Sequence, residues 1–160
     1  MENQTCCFTG HRDIPLKWHA PIAKHLEVEM VHFIRQGVRD FCAGGACGFD
    51  LMASLAVLRL RHQFPDIRLI LVLPCVGQDK YWNYYNKSMY SYIREQADKV
   101  TYLSEHYYNG CMQARNRNLV DRSQCCICYL NQETGGTAYT VNYAVQKGLK
   151  IVNLADFREK

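Results

Sequence analysis

Apolar positions along this chain keep two different rhythms that alternate from end to end. Residues 4–9 form a short β-prone run that ends at Gly10, which predicts a first strand. Between residues 17 and 36, Trp18, Ile22, Leu26, Met30, Phe33 and Ile34 recur at helical spacing, and Gly37 stands where a helix commonly stops. Residues 40–42 predict a second strand running into Gly44-Gly45, and 49–63 a helix that is apolar on most sides. Residues 67–73 alternate little, as a central parallel strand does. The remainder predicts a helix over 86–97, a strand over 100–103 and a helix over 111–123. A strand over 125–130, a helix over 137–146 ended by Gly148 and a strand over 151–154 complete the pattern.

Strands that alternate with helices imply an α/β fold, with a mainly parallel sheet, right-handed crossovers and helices on both faces. No linker, repeat or low-complexity tract interrupts residues 1–160, so one domain is expected. Ligands of such folds sit beyond the carboxyl ends of the strands, near a topological switch point. Glycines and polar residues should therefore gather just after strands. They do so four times: Gly10-His11-Arg12, Gly44 to Asp50, Pro74 to Gln78, and Thr134-Gly135-Gly136-Thr137.

Composition narrows the classes. An apolar share of 48% and a charged share of 21% over 160 residues suit a globular domain and exclude disordered and collagen-like chains. The longest uncharged apolar stretch, residues 69–76, is far short of the ~20 residues of a membrane helix. Glu2 precedes a strand-like run with no basic-then-apolar leader, so a cytoplasmic protein without a membrane partner is expected. A net charge of +4 suits a small anionic ligand as well as nucleic acid. Nine cysteines are an odd number, and only Cys125 and Cys128 carry a ligand-like spacing. On a strand those two would face opposite sides, so free buried thiols are expected rather than a metal site. No cofactor is implied.

Gly44-Gly45-x-x-Gly48 opens a helix, either as a tight turn or as an anion cradle at the positive end of the helix dipole. Asp50 would cap that helix or accept a ribose hydroxyl. Gly135-Gly136-Thr137 repeats the device, with Thr137 placed to cap the last helix or to reach a phosphate. Met112, Leu119 and Val120 set the apolar side of the preceding helix. Arg115, Asn116 and Arg117 then form a solvated face, unless Arg115 turns to the rim to clamp a phosphate, and Asp121 would pair with Arg117. Arg12 adds a cation and His11 a ligand donor or an acid–base group. The aromatic run Tyr81-Trp82-Asn83-Tyr84-Tyr85 reads as packing, as a self-association surface or as a stacking platform with Trp82 foremost.

These loops, in this order, resemble the SLOG superfamily, which groups the DNA-processing protein A (SMF) domain with the LOG phosphoribohydrolases. The similarity is greatest to its YpsA-like branch. It is carried by Cys7-Phe8-Thr9-Gly10-His11-Arg12, Gly44-Gly45-Ala46-x-Gly48-Phe49-Asp50 and Pro74-Cys75-x-x-Gln78-x-x-x-Trp82. Arg115-Asn116-x-x-x-Val120-Asp121-x-Ser123 and Gly135-Gly136-Thr137-x-x-Thr140-Val141 complete it. The resemblance implies a bacterial protein with a Rossmann-like three-layer fold and a nucleotide-derived or phosphate-containing ligand on the rim. LOG enzymes use an Arg and a Glu to hydrolyse a nucleotide N-glycosidic bond. Here Met112-x-x-Arg115-Asn116 keeps the Arg, Asn142 stands where the Glu falls, and Glu133 is one residue ahead of the turn. An amide takes no proton, so binding without catalysis is the leading expectation and N-glycosidase the enzymatic alternative. The expected partner is a nucleotide-like small molecule, with single-stranded nucleic acid second and a homodimer as the self-association option.

Overall fold

The computed structural model describes residues 4–155; Glu2 lies outside them. Among these residues the chain runs β1 (Gln4–Gly10), α1 (His19–Arg35), β2 (Val38–Ala43), α2 (Phe49–Leu60) and β3 (Arg68–Leu73). It continues through α3 (Tyr84–Gln96), β4 (Lys99–Tyr102), α4 (Cys111–Asp121), β5 (Cys125–Tyr129), α5 (Gly136–Gln146) and β6 (Lys150–Asn153). The expected alternation of elements is therefore present. Helix α3 starts earlier than the apolar pattern suggested, because Asn83 caps it: the Asn86 N–H donates to Asn83 Oδ1 at 2.8 Å.

All six strands are parallel, in the order β4-β3-β2-β1-β5-β6. The chain builds outward from β1 to β4, then returns to lay β5 on the other side of β1. The switch point lies between β1 and β5.

Period-two alternation divides the core. Cys6, Phe8, Phe41, Leu69, Leu71, Cys125 and Ile127 pack with Leu26, Met30, Val57 and Ile93 of α1, α2 and α3. Cys7, Cys42, Ile70, Val72, Cys126 and Cys128 face the other way, onto Leu119 and Val120 of α4 and Val141 and Ala144 of α5. Cys125 and Cys128 fall in different clusters, as their spacing on a strand requires. Every cysteine is a free thiol, and only Cys47 is not buried. Burial pushes the Cys42 thiol up to about 12, so it remains protonated and behaves as a small apolar side chain. No helix among the described residues is long and apolar enough to cross a membrane.

Two outcomes follow from this packing. In the native protein Cys47 should be the first thiol to react with a thiol reagent, slowed because burial raises its pKa, while the eight buried thiols should react only as the chain unfolds. Phe8 stacks on Phe41 with ring centroids 5.9 Å apart and is 1% exposed, so Phe8→Ala should cost ~3–5 kcal/mol in urea unfolding.

Candidate functional site

Strand β1 ends at Gly10 because nothing larger fits: a Cβ there would run into the Phe49 ring. The next residue ties two loops together. Its carbonyl accepts the Phe49 N–H at 3.1 Å, and its Nε2 accepts the Asn131 N–H, beyond β5, at 3.0 Å. An accepting Nε2 puts the ring proton on Nδ1, and burial lowers the His11 pKa below its ordinary value. His11 is thus a neutral, oriented imidazole at the β1–β5 switch point.

The glycine-rich loop after β2 is shaped by what crosses it. At Gly44 a Cβ would lie 2.6 Å from Arg115 Nη1, and at Gly48, where φ is +78°, it would strike the backbone of Arg12. Gly48 is the N-cap of α2 and offers no side-chain cap, so Asp50 does not cap as expected. Asp50 instead lies in the first turn, where its Oδ2 accepts the Ala46 N–H at 3.2 Å. Its carboxyl is buried, and burial raises its pKa against the pull of Arg115, the Ala46 amide and Arg12.

Helix α4 corrects the solvated-face expectation. Cys111, Arg115, Leu119 and Val120 are its buried residues, and the first three follow one i,i+4 stripe. Arg115 is 4% exposed. Its Nη1 donates to the Gly44 carbonyl at 2.6 Å and its Nε to Asn116 Oδ1 at 2.7 Å. Among the described residues no carboxylate forms an ion pair with it. Burial lowers its pKa from the usual guanidinium value, and Asp50 is the main charge opposing that. The expected Arg117–Asp121 pair does not form: Arg117 donates to Tyr139 OH at 3.0 Å, and Asp121 accepts from Tyr143 OH at 2.6 Å.

Gly135, with φ +105°, is the N-cap of α5, so Thr137 sits inside the helix rather than capping it. A Cβ at Gly135 or Gly136 would meet nothing within 4 Å, so this helix start faces open space. Thr140 Oγ1 donates back to the Gly136 carbonyl at 2.9 Å and steadies the first turn.

These pieces enclose a cavity of about 240 Å³ at the switch point. Of the residues singled out from the sequence, Gly10, His11, Arg12, Asp50, Arg115, Asn116, Gly135, Gly136 and Thr137 line it. Gly44 and Gly45 stand behind, gripped by Arg115 and by Gln78, whose Nε2 also meets Tyr90 OH at 3.0 Å. Gly48 and Trp82 line an adjoining groove, Pro74 is buried in the turn after β3, and Asp121 is at the far end of α4. Thr134, the first residue of the glycine loop expected at the rim, lines it too, and Met112 and Gln132 do so without having been foreseen. Gln132 follows β5, where the rule of strand ends already pointed; Met112 gave no polar signal.

The profile of the YspA SLOG family (YpsA) matches residues 6–154. The chain belongs to that family. It is 26% identical over 130 residues to a UPF0398 protein of Bacillus cereus, covering 79% of this chain and 71% of that one. With a UPF0398 protein of Bacillus velezensis it shares 27% over 118 residues, 72% of this chain and 65% of that one. Its fold is similar to two solved structures of DNA processing protein A. The Streptococcus pneumoniae protein gives a TM-score of 0.66 at 19% identity, with 93% of this chain and 49% of that one covered. The Helicobacter pylori protein, described by its single-stranded DNA binding mode, gives 0.67 at 18%, with 92% and 63% covered. This SLOG chain therefore spans about half to two thirds of those two proteins, and at such identity they show the fold alone.

The two positions weighed for the glutamate of the LOG enzymes lie off the cavity wall. Asn142 and Glu133 are both exposed, and neither lines the cavity; Asp50 is the carboxyl that does.

The state of His11 sets a pH dependence. Its folded pKa lies below the unfolded value of about 6.5, so as pH falls the unfolded chain takes up this proton first. The stabilisation is complete above about pH 6.5 and is lost as pH falls through the lowered folded value. In urea unfolding between pH 8 and 5, His11→Gln should show a smaller acid loss than the unmodified chain. Equal slopes would show that His11 is not held neutral.

Proposed function

We propose that this SLOG domain is a cytoplasmic sensor or binding protein for a nucleotide-derived small molecule, whose phosphate group occupies the switch-point cavity. The observation that carries the reading is Arg115, a guanidinium 4% exposed that lines the cavity with no carboxylate in ion-pair contact among the described residues. A buried charge is costly unless compensated, and an anion supplies the compensation. The open start of α5 and the exposed Arg12 add donors and positive potential on the same wall. Asp50 then serves as the acceptor for a ribose hydroxyl, and His11 as a neutral donor through Nδ1.

Catalysis is not part of this reading, because the position of the LOG enzymes' glutamate is here an exposed amide, Asn142. Asp50 keeps N-glycosidic hydrolysis as an alternative: a buried carboxyl with a raised pKa is suited to proton transfer. Single-stranded nucleic acid is a further alternative. It is supported by the exposed Tyr81, Tyr84 and Tyr85 beside Lys80 and by the likeness to the Helicobacter pylori protein.

Calorimetry with adenosine monophosphate tests the reading. A charge-assisted hydrogen bond contributes ~1.5–3 kcal/mol, so Arg115→Ala should weaken binding by about one to two decades. Arg12→Ala, at an exposed position that folding tolerates, should weaken it as well. Free adenine followed by chromatography should not accumulate. Turnover abolished by Asp50→Asn would establish the enzyme, and a labelled oligothymidylate bound through Tyr84 and Tyr85 would establish the nucleic-acid reading.

A further inference from the structure

The switch-point cavity, at about 240 Å³, is smaller than the ~300–1,000 Å³ of common small-molecule sites. A ribose and a phosphate fill such a space, and a base attached to them must leave it. Beside it lies a groove of about 720 Å³, and Arg12 lines both. The ridge between them is the loop before α2: Ala46 faces the cavity, whereas Cys47 and Gly48 face the groove. On this ridge the backbone of Gly48 passes against that of Arg12, with no room for a side chain between them.

The groove has the chemistry of a ring site. Trp82 is half-buried, and its ring packs on Tyr90 at 5.1 Å between centroids. Tyr90 is fully buried and bonded through its hydroxyl to Gln78, so the indole rests on a fixed support. Met52, Ile14 and Pro15 supply the other apolar walls. Asn86, which carries both a donor and an acceptor, and Asp13 lie among them. His19 Nε2 is bonded to the Ile14 carbonyl at 2.9 Å, which fixes that wall.

We infer that cavity and groove form one extended site, in which the base of the nucleotide crosses the ridge beside Arg12 and stacks on Trp82. The inference rests on the phosphate reading of the cavity and adds to it the position and chemistry of the base. Arg12 then stands at the midpoint of the ligand, and Asn86 and Asp13 meet the edge of the base. Selectivity among nucleotides is set in the groove, and affinity for the anion in the cavity.

Ribose 5-phosphate and adenosine monophosphate separate the two claims, with Trp82 as the reporter. In a Trp18→Phe background Trp82 is the remaining tryptophan, since the chain has two. The monophosphate should bind at least about tenfold more tightly than ribose 5-phosphate, in line with one stacked base, and should quench Trp82 emission where ribose 5-phosphate does not. Trp82→Ala should bring the two affinities together while leaving that of ribose 5-phosphate unchanged. Met52→Glu, which sets a charge in the apolar wall of the groove without removing the indole or its packing on Tyr90, should do the same. A preference for the monophosphate that survives both variants places the base elsewhere and overturns the inference while the phosphate reading stands. Equal affinities in the unmodified protein overturn it in the same way. Failure of both probes to bind overturns the phosphate reading and the inference together.

Discussion

A guanidinium enclosed at the carboxyl end of a parallel sheet needs an acceptor for each of its donors, and this need organises the region around Arg115. Its Nη1 takes the Gly44 carbonyl, which requires a residue without a Cβ at that position. Its Nε takes Asn116, the next residue on the same helix. Loop geometry after β2, the orientation of α4 and the floor of the cavity are thus fixed by one side chain. Removing it would leave the Gly44 carbonyl without this partner and open a space the backbone is too constrained to fill.

Sheet topology supplies the rest. Because the chain reverses between β1 and β5, the loops that follow them splay apart and leave a crevice there. His11 bridges those loops through Asn131, Gly48 lets the α2 loop cross Arg12, and Gly135 opens α5 toward the crevice. The glycines do two jobs: at 10, 44 and 48 they permit close approach, and at 135 the glycine supplies a positive φ at the helix start. The cavity is a consequence of topology, and its charge is a consequence of which side chains the glycines admit.

The fold was legible because strands such as 67–73 and the helical stripe of α1 are buried on predictable faces, and burial writes itself into hydrophobic period. Glycines after strands marked the crevice for the same reason. What the sequence hid was the direction of polar side chains. Arg115 reads as surface by residue type, yet its place between Cys111 and Leu119 at i±4 puts it inside; that stripe was visible and polarity masked it. Asp50 and Thr137 have cap-forming chemistry, but glycines two residues earlier already occupy the cap positions. Asp121 could meet Arg117 by spacing alone, and tyrosines 139 and 143 of the neighbouring helix took both partners instead. Local rules failed wherever another element competed for the same group.

Amide chemical shifts during titration of the isotope-labelled protein with adenosine monophosphate test the central claim most directly. The account predicts shifts concentrated at Gly10, His11, Arg12, Gly135, Gly136 and Thr137, with the Arg115 Nε–H resonance moving in parallel. Saturable binding whose shifts cluster away from the β1–β5 crevice, or an Arg115 resonance that stays still while the nucleotide binds, would contradict it.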